Sequence, residues 1–247
     1  RPLDNPKYNN FWSQDIPVSK YNVDNGSYKG QPYNFVVLKR VVLYPQKEGA
    51  LDIEPLALEV SLEVPTDRRD FFGRILTASV NKTVSAGKRS IPVNSLPESW
   101  KPKDFSEAVG AFSFKVETSR EVLNSSESLQ ATVSVSGKGN LKLFPLPKLN
   151  LPSVLEVYEP EFKESVRTNI SGMQGSISDS YTIVPSFQGQ YPIPAISFSY
   201  FNPETKRYER LISKEITIQV LEGPTEAAAS NAIPTEPKSV VRSGDQF

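Results

Sequence analysis

The side chains that most often carry catalysis at neutral pH are missing from this chain. It has 247 residues, with no histidine and no cysteine. That excludes a Ser-His-Asp relay, histidine- or thiolate-bound zinc, and a thiol nucleophile. It also removes the usual general base near pH 7. Carboxylates remain, and a facing pair can hydrolyse glycosidic bonds. Here Asp and Glu alternate with Lys and Ser on faces that read as solvated. A paired-carboxylate hydrolase stays as a third reading and requires a cleft with two facing acids. The expectation is therefore no catalytic, cofactor-binding or metal-binding residue, no cofactor, and no enzyme.

Gly137-Lys138-Gly139-Asn140 has the outline of a phosphate loop. Such a loop needs a helix after it, whose N-terminus holds the anion. The residues that follow, Leu141-Lys142-Leu143-Phe144-Pro145, read as a strand ended by proline. The glycines then read as a tight turn or bulge that breaks a β-ladder after Ser136.

Aromatic residues in polar surroundings are the other candidates. Trp12, Phe71, Phe72 and Trp100 are the possible partner contacts. Phe71-Phe72 follow the charged run Asp67-Arg68-Arg69-Asp70 in the stretch 65–89, which reads as a long loop. Their rings either tuck onto the rim of a sandwich or stand out as an interaction loop. Trp100 lies in a linker over 94–104, stiffened by Pro97 and Pro102, where it either packs against an adjoining domain and fixes the interdomain angle or binds a ligand. Lys+Arg and Asp+Glu are both 28, so the net charge is zero and no nucleic-acid footprint exists.

The elements that must position these residues are strands. The 21 prolines and 13 glycines punctuate short runs rich in aromatic and β-branched residues. Residues 32–43 read as one strand with Phe35, Val37 and Val41 inward, and 129–135 alternate apolar and polar. The stretch 183–200 has an earlier copy at 43–60. Displaced by 140 positions, Pro45 falls on Pro185, Gly49 on Gly189 and Ile53 on Ile193. Leu56, Leu58 and Val60 then fall on Ile196, Phe198 and Tyr200. Further on, Pro97 corresponds to Pro224, an offset of 127, so the first copy carries about thirteen extra residues within 65–89 (140 minus 127).

This pattern predicts an all-β chain of tandem immunoglobulin-like or fibronectin-type sandwiches. The expected domains are 1–97 and 98–224, followed by a flexible linker or tail over 225–247. Displacement by 140 puts the counterparts of strands 111–118 and 128–136 ahead of residue 1, so the first domain is expected to lack its N-terminal strands. No apolar run approaches the roughly 20 residues that span a bilayer. The start at Arg1, without an initiator Met, reads as a piece of a longer protein.

Several ordered motifs resemble one family. Leu96-Pro97, Pro102, Phe105, Val109-Gly110 and Phe112 resemble the junction into the last periplasmic domain of BatD, the "oxygen tolerance" family. Gly139-Asn140-Leu141, Leu146-Pro147 and Leu155-Glu156-Val157-Tyr158 are similar to the next part of that domain. Tyr181, Val184-Pro185, Gly189, Ile193-Pro194 and Tyr200-Phe201-Asn202-Pro203 are similar to its closing half. Tyr44-Pro45-Gln46-Lys47 with Gly49 and Ile53 resembles the preceding domain. The likeness spans roughly residues 11–222. One departure is Glu107, where the family pattern calls for a small residue, often Gly.

The resemblance implies an inner-membrane protein with periplasmic β-sandwich domains and a transmembrane helix near its C-terminus, which 225–247 would approach. It implies partners among membrane proteins with von Willebrand factor A domains, in aerotolerance or envelope stress. No enzymatic activity and no active-site residues come with it. The expected function is a non-enzymatic periplasmic scaffold or adaptor, attached to the membrane only through a helix that these residues do not include. The alternative is a carbohydrate- or envelope-glycan-binding module that uses exposed Trp and Tyr faces.

Overall fold

A computed structural model of the chain describes residues 2–224, and all regular structure among them is β. No helix of the described residues is long and apolar enough to cross a membrane. The expected tail over 225–247 lies outside the described residues. The chain divides into two compact units, Arg1–Lys101 with Arg167–Gln174, and Pro102–Val166 with the chain from Gly175 on.

The first unit holds β1 (Pro2–Asp4), β2 (Phe11–Ile16), β3 (Val23–Tyr28), β4 (Gln31–Val36), β5 (Arg40–Pro45), β6 (Gly49–Ile53), β7 (Ala57–Arg69), β8 (Ile75–Ser85) and β9 (Arg89–Val93). They form a three-stranded sheet, β1-β7-β8, and the pairs β2-β5, β3-β4 and β6-β9. The expectation of a single strand over 32–43 is corrected: β4 and β5 are separate strands of different sheets. Phe35 is not inward but 47 % exposed. Its ring lies across Gly26, where an added Cβ would meet it at 2.9 Å, so a glycine on the partner strand accommodates the aromatic in place of a core. The stretch 65–89 is likewise not a loop, because β7 and β8 run through most of it as a hairpin.

The second unit holds β10 (Phe105–Thr118), β11 (Val122–Leu123), β12 (Leu129–Gly139), β13 (Leu155–Val157), β14 (Glu161–Asn169) as far as Val166, β15 (Gly172–Pro185) from Gly175 on, β16 (Gly189–Ile193), β17 (Ser197–Asn202), β18 (Arg207–Ile212) and β19 (Ile216–Val220). The larger sheet has the order β13-β15-β12-β10-β17-β18, with β14 paired to β15, and the smaller one is β11-β19-β16. Alternation in β12 works as its sequence requires: Leu129, Ala131, Val133 and Val135 are buried while their neighbours are not. Leu129, Ala131 and Val133 share a core with Ile193 and Ile218 of the smaller sheet, so the two sheets bury their apolar faces together, while Val135 joins the cluster at the other end. At the other end Phe198 is the centre of an aromatic cluster, with the rings of Phe112, Phe144 and Tyr200 at 5.6–6.0 Å. Burying one such ring contributes roughly 2–3 kcal/mol.

The ladder does not break at Gly137. β12 continues through Gly139, pairing Phe112 with Gly137 and Gly110 with Gly139. The Phe112 ring lies over this glycine pair, and a Cβ at Gly110 would sit 2.7 Å from it. Leu141–Pro145 is a turn rather than a strand, and it buries Leu141 and Phe144. Glu107 has φ of 64°. This left-handed backbone is why a small residue suits the position. The Asn140 carboxamide holds it, accepting from Val109 N at 2.7 Å and donating to Glu107 O at 2.9 Å.

The internal repeat carries through to strand register. β6 pairs β9 from Gly49↔Val93 to Ile53↔Arg89, and β16 pairs β19 from Gly189↔Val220 to Ile193↔Ile216. One strand is displaced by 140 (189 minus 49) and its partner by 127 (220 minus 93). The same two offsets relate Ala57↔Ser85 at the base of β7–β8 to Ser197↔Ile212 at the base of β17–β18. The thirteen additional residues (140 minus 127) therefore lengthen the β7–β8 hairpin beyond its shorter counterpart.

Candidate functional site

The extension of β7–β8 ends in a turn built by Asp70. Its Oδ1 accepts the backbone N–H groups of Phe72 and Arg74, both at 2.8 Å. Asp70 N donates to Arg74 O at 2.9 Å, and Gly73 N returns to Asp70 O at 3.0 Å. Gly73 takes φ of 77°, which glycine adopts without a Cβ penalty. Arg69 Nη1 donates to Gly73 O at 2.9 Å and braces the turn from one side. Below it, Thr66 Oγ1 donates to Leu76 O at 2.8 Å where the register shifts between Pro65 and Arg69. Short Asp side chains favour such turns because they bond to backbone two residues on.

This frame leaves the two aromatic rings outside. Phe71 is 98 % and Phe72 82 % exposed, and they meet edge to face at 5.6 Å. Of the two readings open for these residues, the sandwich-rim packing is absent. This pair of rings offers exposed apolar area at little side-chain entropy, with Arg68 and Arg74 flanking it.

The other candidates lie elsewhere. Trp100 is 94 % exposed with φ of 65°, and among the described residues no ring contact links it to another aromatic. Trp12 is half-buried, edge-on to Tyr44 at 5.9 Å. Its indole is a packing element of the β2–β5 pair, whose register sets Trp12 opposite Tyr44. The structure thus brings Phe71 and Phe72 together and leaves Trp12 in a different pairing. Asp70, Arg69 and Gly73, which shape the tip, were not singled out as site residues by sequence, although Asp followed by Gly three residues later is a turn signal.

Among the described residues no group of three or more Asp and Glu is placed to hold a metal. The first unit has an open cleft of about 620 Å³, lined by Leu56, Leu58 and Val60 and containing Asp15 and Glu59. Asp15 is engaged by Lys39 Nζ at 3.3 Å. In the second unit Asp104 and Glu209 are tied into the fold by hydrogen bonds. Asp104 is raised by burial, but hydrogen bonds from Ser197 and Ser199 outweigh this and lower it. Glu209 is held low by Tyr200 first, then Asn202.

The family model described as "BatD DUF11 like domain" matches residues 116–220, a span running from Val116 within β10 to the end of β19. No curated protein and no solved structure matches the chain.

Proposed function

We propose that this chain is a non-enzymatic scaffold or adaptor on the periplasmic side of an inner membrane, built of tandem immunoglobulin-like or fibronectin-type sandwiches over 1–97 and 98–224. The observation that carries the reading is the hairpin tip: Phe71 and Phe72 are presented to solvent on a backbone-bonded turn. That tip belongs to the thirteen-residue extension present in one copy of the repeat and missing from the other. The partial match to a BatD domain supports the cellular setting. The partners of this reading are membrane proteins with von Willebrand factor A domains. A photo-crosslinking residue at Phe72 should capture such a protein in native membranes. Capture of nothing from membranes that contain these proteins would overturn the assignment.

A glycan-binding module is the second reading, favoured by the 94 % exposure of Trp100, since a flat exposed indole stacks on sugar rings. Binding of envelope glycans that is lost on Trp100→Ala would support it. A glycan array without signal would remove it.

A further inference from the structure

The β7–β8 ribbon has two unlike faces. Its register pairs Leu62 with Val80 and Val64 with Ala78, which share one side with Leu76 and Val84. Ser61, Glu63, Ser79 and Asn81 take the other side, where the Ser61 hydroxyl donates to Asn81 Oδ1 at 2.6 Å. Leu62, Val64, Leu76 and Val80 are all exposed, so the apolar side of the ribbon is uncovered.

β8 is also an edge. In the sheet order β1-β7-β8 it is paired on one side only. Proteins blunt long edges with charges, proline or a bulge. β8 runs eleven residues with no proline, no glycine and a single charge, Lys82. Other strands with one partner are guarded better. β14 carries Glu161, Lys163, Glu164 and Arg167 in nine residues, and β18 carries Arg207, Glu209 and Arg210 in six.

The sequence of β8 is complementary to itself. Laid antiparallel on a copy about Val80, its midpoint, all eleven residues pair. Leu76 then falls opposite Val84 of the copy. Ala78 falls opposite Lys82 of the copy, whose stem covers the small side chain while its ammonium stays in water. On the polar face Ser79 meets Asn81 and Thr77 meets Thr83, and such pairs hydrogen-bond across strands. No charge stands opposite a like charge.

We infer that β8 is a homodimer interface: two copies of the chain pair β8 to β8 across a two-fold axis at Val80, joining two three-stranded sheets into one. A bilayer or an apolar small molecule would cover the apolar side but leave the strand edge without hydrogen bonds, which only another strand supplies. The symmetric fit about Val80, on both faces at once, selects a second copy over an unrelated strand.

The chain has no cysteine, so single introduced thiols report the register. In Val80→Cys the two thiols stand side by side and should give a disulfide-linked dimer under copper–phenanthroline oxidation. In Thr77→Cys they lie six positions apart along the strand (83 minus 77), roughly 20 Å, and should not. Sedimentation velocity over a concentration series should show a monomer–dimer equilibrium of the unsubstituted chain. Ala78→Glu should tighten it about 3–10-fold by setting two carboxylates opposite the two Lys82 ammonium groups, and Ala78→Lys should weaken it by as much. Residue 78 is exposed, so both variants keep the fold. A chain that stays monomeric at every concentration overturns the inference. So does a dimer that crosslinks as well at 77 as at 80, or one indifferent to charge at 78. These measurements use purified protein and do not depend on whether Phe72 captures a membrane partner.

Discussion

The Asp70 carboxylate accepts the Phe72 backbone N–H at 2.8 Å, and the same oxygen takes the N–H of Arg74. One small side chain therefore organises the tip that presents the aromatic pair. Asp70→Ala should speed amide exchange over 70–74 at least about 10-fold and reduce capture through Phe72. Two exposed hydrogen bonds make only a small net contribution, so the midpoint of global unfolding should move by less than about 1 kcal/mol.

Phe71→Ser with Phe72→Ser should leave folding intact, because rings 98 % and 82 % exposed give up almost no burial. Denaturation should agree with the parent within about 0.5 kcal/mol. Capture of a membrane partner should fall at least about 10-fold, as removal of a central aromatic anchor costs an interface 2 kcal/mol or more. Unchanged capture would remove the tip from the interface.

Phe198→Ala addresses the core of the second unit. The ring is 1 % exposed, with Phe112, Phe144 and Tyr200 around it, so the substitution should cost about 3–5 kcal/mol in urea denaturation. Leu62→Ala, on the exposed part of β7, should cost less than about 0.5 kcal/mol.

Opposite signs are expected three residues apart on β10. Glu107→Gly should stabilise by up to about 1 kcal/mol, since φ of 64° strains any residue with a Cβ. Gly110→Ala should destabilise by about 1–3 kcal/mol, because the new methyl would lie 2.7 Å from both Phe112 Cζ and Gly139 Cα. Thermal melts of the two variants distinguish this from a general tolerance of substitution at this end of β10.

Burial, then the hydrogen bond to Glu209, pushes the Tyr200 phenol up to about 12 from an ordinary value of 10.0. The folded state keeps a proton that the unfolded chain releases. This contribution is complete below pH 10, declines between about 10 and 12, and is gone above that range. The loss should be at most roughly 2 kcal/mol, because the partner carboxylate is half-exposed and partly screened. Tyr200→Phe should flatten stability across that window, and chemical denaturation at pH 9, 10.5 and 12 measures it.

Half-buried alternation was legible in the chain itself. Leu129, Ala131, Val133 and Val135 are buried because a strand's side chains alternate between faces, and that period is a local property. The repeat and its thirteen extra residues were legible for a related reason: offsets of 140 and 127 persist as strand register. What sequence could not decide was set by partners far away in the chain. β8 is exposed along its whole length, so the alternation of Leu76, Ala78, Val80 and Val84 marks no buried face, and the stretch reads as a loop although its backbone pairs with β7. Gly137 and Gly139 read as a break, yet they keep the ladder: the Phe112 ring from β10 needs the space at Gly139, and the backbone of Ala111 and Phe112 needs it at Gly137. Nothing local told whether Phe71 and Phe72 pack or protrude. Burial of a side chain depends on what the rest of the fold brings against it, and at this tip the hydrogen bonds of Asp70 and Arg69 hold the backbone without covering the rings.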